Sequence, residues 1–114
     1  MIDLSFLEEF TKGNKAKMKR YISLYLSVVP DTFSRMQENV DAGNWADLAI
    51  HAHSLKPQAD YIGHNDLKNK LVEIELAVKQ QNFNACKALL KQAMSHHEEA
   101  HAFLAEWLEN HEAL

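Results

Sequence analysis

Three glycines and two prolines are spread over 114 residues. A sheet protein needs many turns, and turns are built largely from these residues. So few of them leave a small number of long elements. Apolar side chains recur at steps of three and four along most of the chain, the spacing of one face of an α-helix. The sequence therefore predicts helices.

Asp3 to Thr11 reads as a short helix, with Asp3 as N-cap and Leu4, Leu7 and Phe10 as its contacts. Lys12-Gly13-Asn14 breaks it. A second helix runs from about Lys15 to Asp41 on the stripe Met18, Tyr21, Ile22, Tyr25, Leu26, Val29, Phe33, Met36 and Val40. Pro30 lies inside that stripe, which resumes in register, so a kink is expected and not an end. Gly43 suits the C-cap and Asn44 the next N-cap. A third helix follows from Trp45 to about Ile62 and ends at Gly63. A fourth spans about Asp66 to Gln81, capped by Asn65, with Leu67, Leu71, Ile74 and Val78 inward. After Gln81-Asn82, a fifth runs from about Phe83 to His111 and buries Leu89, Leu90, Ala93, Met94, Ala100, Phe103, Leu104, Trp107 and Leu108.

Four long helices with short connections must pack as antiparallel neighbours. The expected fold is all-α, an up-down-up-down four-helix bundle with a short extra N-terminal helix. The length is that of one domain, residues 1–114. At 46% hydrophobic and 25% charged, the composition is that of a globular protein. A net charge of −4 with no basic run argues against nucleic acid as a partner. No apolar stretch approaches the ~20 residues that cross a bilayer, and Met1 to Phe10 is acidic, unlike a signal peptide. Cys86 is the one cysteine, which fits a reducing compartment. These readings predict a cytoplasmic protein away from membranes, and a monomer. The length and Met1 suggest a protein that stands alone.

The third helix carries the chemistry. On a wheel of 100° per residue with His53 at zero, Trp45, Leu48, Ala52, Leu55, Ala59 and Ile62 gather at roughly 80–180° and form the core stripe. Asp47, His51, Ser54 and Gln58 fall on the opposite flank and are expected in solvent. His53 belongs to neither group. Ala46, Ala49, Ile50, Lys56, Pro57 and Asp60 lie within about 60° of it. An accessible imidazole in a partly apolar, outward-facing patch is a docking surface.

An imidazole that is largely neutral near pH 7 offers a nucleophilic nitrogen. It can accept a phosphoryl group and release it again, because the N–P bond is labile. Lys56, at i+3, shares the face, and its ammonium can neutralise phosphoryl oxygens. The alanines keep the surface low for a close approach. The sequence supplies no Gly-rich nucleotide loop and no recognisable carboxylate cluster for magnesium. A second protein must bring both the metal and the phosphoryl donor. No residue of this site is read as a metal ligand.

The run His53-Ser54-Leu55-Lys56-Pro57-Gln58-Ala59-Asp60-Tyr61-Ile62-Gly63 resembles the histidine phosphotransfer signature: His, one residue, Leu, Lys, small residues, then an aliphatic and Gly. Gly43 to Ala52 is similar to the family's approach to the motif. The resemblance extends in pattern over about Tyr21 to Gln81 and is specific from Gly43 to Leu67. It implies a four-helix bundle forming one histidine phosphotransfer domain in a multistep two-component relay. His53 would be the phosphorylated residue and Lys56 its charge partner. Ala46, Ala49, Ile50, Pro57 and Asp60 would meet the docked partner. The partners implied are receiver domains of response regulators or hybrid histidine kinases, which exchange phosphate from an aspartate and hold the magnesium. The chain would be a carrier with no kinase activity and no cofactor of its own. Pro57 departs from the pattern, which usually has Gly there. The change adds a ring to the docking surface and leaves the acceptor chemistry intact.

Two other readings compete. The chain could be a helical interaction module that uses the His53 patch only to bind. His97-Glu98-Glu99-Ala100-His101 also satisfies the H-E-x-x-H pattern on a helix. Only 13 residues follow His101, too few for the sheet and third ligand of a metalloprotease, so catalysis is not expected. Adventitious binding of zinc or nickel by His97 and His101 is the third possibility.

Overall fold

The computed structural model describes residues 2–112; Met1, Ala113 and Leu114, part of the expected 1–114 domain, lie outside them. Five helices make up the fold: α1 (Ser5–Phe10), α2 (Lys15–Ala42), α3 (Trp45–Tyr61), α4 (Asn65–Lys79) and α5 (Phe83–Glu109).

The starts and stops follow from local chemistry. The Asn14 side chain accepts the Lys17 N–H at 3.0 Å and opens α2. Gly43, at φ +69°, closes it in the left-handed conformation that a C-cap favours. The side-chain amide oxygen of Asn82 accepts from Ala85 N–H and starts α5. Two caps differ from expectation. Asn44 precedes α3 but makes no side-chain cap; its amide donates to Asp47 at 2.7 Å. At α4 the cap is His64, not Asn65: its Nδ1 accepts the Leu67 N–H at 3.2 Å. Asp3 acts two residues ahead of α1, where its carboxylate accepts from both the backbone and the hydroxyl of Ser5.

Pro30 and Pro57 both sit inside unbroken helices. Each leaves one carbonyl without its usual donor.

Connections of two or three residues reverse the chain between long helices, so neighbours run antiparallel. Each helix from α2 packs on the next, and α5 returns to α2, closing the bundle. The core is the predicted set of stripes. Met18, Ile22, Tyr25, Val29, Phe33 and Met36 of α2 meet Leu48, Ala52, Leu55, Ala59 and Ile62, with Leu67, Leu71, Ile74, Leu90, Ala93, Ala100 and Leu104 from the other two helices. Leu7 of α1 joins them. Burying a side chain of this size is worth about 1.5–3 kcal/mol, which is why the stripes decide the fold. On α5 the expectation fails for Phe103, which is exposed between the buried Ala100 and Leu104; one turn before Ala100, His97 is buried. On α4 the buried residue is Ala77, with Val78 at the edge.

The N-terminal segment is tied to the α3–α4 turn. Asp3 N–H donates to the Ile62 carbonyl at 3.2 Å. Gly63 lies beneath at φ +63°, and a Cβ there would overlap the Asp3 carbonyl. Phe6 and Phe10 of α1 cluster with Tyr21 and Tyr61 beside this turn.

Candidate functional site

The α3 stripe buries Leu48, Ala52, Leu55 and Ala59, and this fixes the rotation of the helix. His53 is thereby turned outward, its side chain 70% exposed. Ile50, one turn earlier on the same side, is 63% exposed. Ala46, Pro57 and Asp60 are exposed as expected, and Ala49 is half-buried. Asp60 pairs with Lys68 of α4 at 2.8 Å.

Helix α4 adds a residue that the sequence reading missed. Glu75 reaches across from α4 and touches both key residues of α3. Its Oε2 lies 3.1 Å from His53 Nδ1 and its Oε1 2.8 Å from Lys56 Nζ. Leu71 and Ile74 are buried on the same helix, so Glu75 stands at the rim of the α3–α4 seam. Partial burial opposes its ionisation. The contacts from Lys56 and His53 outweigh that effect and hold its carboxyl below the ordinary glutamate range. A carboxylate can only accept, so the imidazole facing it carries its proton on Nδ1. The lone pair is then on Nε2, the nitrogen away from Glu75. Lys56 is paired through its ammonium and half-buried along its stem, where the sequence had left it without a partner.

His51 and Gln58 are not on a solvated flank. Both are half-buried, and His51 Nδ1 lies 2.7 Å from Asn39 Oδ1 of α2. Asp47 and Ser54 of that flank are exposed. The wheel gave the angle of His51 correctly but not the breadth of α2, which covers that side.

The H-E-x-x-H segment separates its two histidines. His97 is buried, with Nδ1 3.0 Å from the Tyr25 hydroxyl. Burial, aided by nearby His101, pushes its pKa down to about 4. His101 is exposed, its ring 6.0 Å from that of His97. The residues do not present two free imidazoles to solvent, which weakens the reading of this pair as a metal site.

No helix among the described residues is long and apolar enough to cross a membrane. Residues 20–113 match the family model of the Hpt domain. Neither the curated proteins nor the solved structures give a match.

Proposed function

The chain belongs to the Hpt domain family, and from that premise we propose that it is a phosphocarrier that takes a phosphoryl group onto His53 from a receiver-domain aspartate and yields it to another receiver. Histidine phosphotransfer in phosphorelays, with receiver domains as partners, is the role of this family. The observation that supports His53 as the acceptor is the Glu75 carboxylate 3.1 Å from its Nδ1, with the ring otherwise exposed.

The step runs as follows. The Nε2 lone pair attacks the phosphorus of the aspartyl phosphate. The N–P bond forms as the bond from phosphorus to the aspartate oxygen breaks, and the carboxylate leaves with the electron pair. The Nδ1 proton stays in place, and the ring gains positive character that Glu75 stabilises. Lys56, which meets the same carboxylate at 2.8 Å, would turn from Glu75 to the phosphoryl oxygens. The magnesium belongs to the receiver. Return of the group reverses these movements, and no nucleotide is consumed by this chain.

Ala46, Ala49, Ile50 and Pro57 would form the apolar contact around His53, with Asp60 at its edge. The Pro57 ring selects among receivers by shape. The lone thiol of Cys86 is buried and fits a cytoplasmic setting, in which the chain acts as a monomer.

The test is incubation with a panel of phosphorylated receiver domains, followed by mapping of acid-labile phosphate. The intact chain and a His51→Gln variant should take up phosphate, and His53→Gln should not. Binding to receivers with no phosphate uptake across the panel would instead support an interaction module.

A further inference from the structure

A second cluster of ligating side chains lies away from His53, where the α3–α4 turn meets α5. We propose that His64, His96 and Glu99 bind one divalent transition-metal ion of the zinc class.

One donor atom from each of the three lies within 4.8 Å of the others. Zinc with bonds of about 2.0–2.1 Å in a tetrahedron sets its donors about 3.4 Å apart. A shift of up to about 1.4 Å closes the gap, and the two α5 residues have the freedom to make it: His96 is half-buried and Glu99 exposed. Their i, i+3 spacing puts both on one face of α5. His64 is the fixed member, 1% exposed and held in the turn that follows Gly63. Two imidazoles and one carboxylate are the borderline ligand set that zinc, nickel or copper accepts, and that magnesium or calcium does not favour. A groove lined by Asp66, Asn69, Lys70, Glu73 and His96 adjoins the cluster at His96.

The independent sign is the state of His64 itself. Its Nε2 is buried and has no hydrogen-bond partner. The His96 backbone lies close to the same ring. A buried polar atom without a partner is costly, and few native structures tolerate one without a reason.

The Nδ1 of the same ring accepts the Leu67 N–H, so the neutral ring carries its proton on Nε2. Metal binding at Nε2 moves that proton to Nδ1 and releases the Leu67 amide. The cap is exchanged for a coordinate bond, and the Leu67 amide becomes a reporter of occupancy.

The experiment is calorimetric titration of the chelator-treated full chain with zinc, together with backbone amide spectra. One equivalent should bind, and the Leu67 amide resonance should move. His96→Ala and Glu99→Gln should each weaken binding by at least about 100-fold, beyond what loss of a mere outer-shell partner costs. Both replace accessible residues and leave the fold in place. His101→Ala should bind as the unmodified chain does. The absence of binding, or binding that survives His96→Ala and is lost in His101→Ala, would overturn the proposal. The His53 reading is unaffected by either result.

Discussion

Glu75 holds His53 from the neighbouring helix, with Oε2 3.1 Å from Nδ1. The bond fixes which nitrogen is protonated. Replacing Glu75 with Ala frees the ring to exchange between tautomers and releases Lys56. Loss of one charge-assisted contact at a partly solvated site is worth about 1 kcal/mol, so phosphate uptake should slow by roughly 3- to 10-fold. Nitrogen-15 spectra of the imidazole should show one Nδ1–H tautomer in the unmodified chain and a mixture in the variant. An unchanged spectrum would show that Glu75 does not set the tautomer.

The pair formed by His97 and Tyr25 predicts a dependence on acid. In the folded chain His97 stays neutral down to about 4, whereas in the unfolded chain it titrates near ~6.5. Between those values the unfolded state binds more protons. The contribution of His97 is therefore complete above about pH 6.5 and is lost as the pH falls toward 4. Allowing for partial access of solvent, the loss amounts to about 1–2 kcal/mol. Urea midpoints at pH 7 and pH 4.5 should differ less for His97→Gln than for the unmodified chain. Equal differences would assign the acid sensitivity to other groups.

At Gly63, Ala should be poorly tolerated. The left-handed backbone costs a residue with a Cβ about 1–2 kcal/mol, and here the Cβ also overlaps the Asp3 carbonyl. The bond from Asp3 N–H to the Ile62 carbonyl would open. Thermal melting of Gly63→Ala should fall by roughly 5–10 °C, as a loss of this size gives in a chain of this length. Phosphate uptake by surviving folded protein should persist, since His53 lies elsewhere on α3.

The helix stripes, the bundle and the outward turn of His53 were all legible in the sequence. Each depends on the spacing of residues along one helix, which a wheel captures. Glu75 was not legible. It is 22 residues from His53, and its contact depends on how α4 is rotated and slid along α3. His51 failed for a related reason, since Asn39 belongs to another helix. Gly63 marked the end of α3, yet nothing local showed that the imidazole of His64 would turn inward and cap α4. The burial of His97 was not legible either, because the tyrosine hydroxyl that makes its polar ring acceptable in the core comes from α2.

Helices α2 and α5, of 28 and 27 residues, outrun α3 and α4, of 17 and 15. At 1.5 Å per residue the excess is about 17 Å. Tyr21 is level with Tyr61, and His96 with His64, so the surplus is at the Lys15 end of α2 and the Glu109 end of α5. There two helices and the short α1 replace four. Local unfolding starts where the least surface is buried, so amide protons in that section should exchange with solvent sooner than those around His53. The α3 turn that carries His53 lies in the section where four helices pack, so its amides should be among the later ones to exchange.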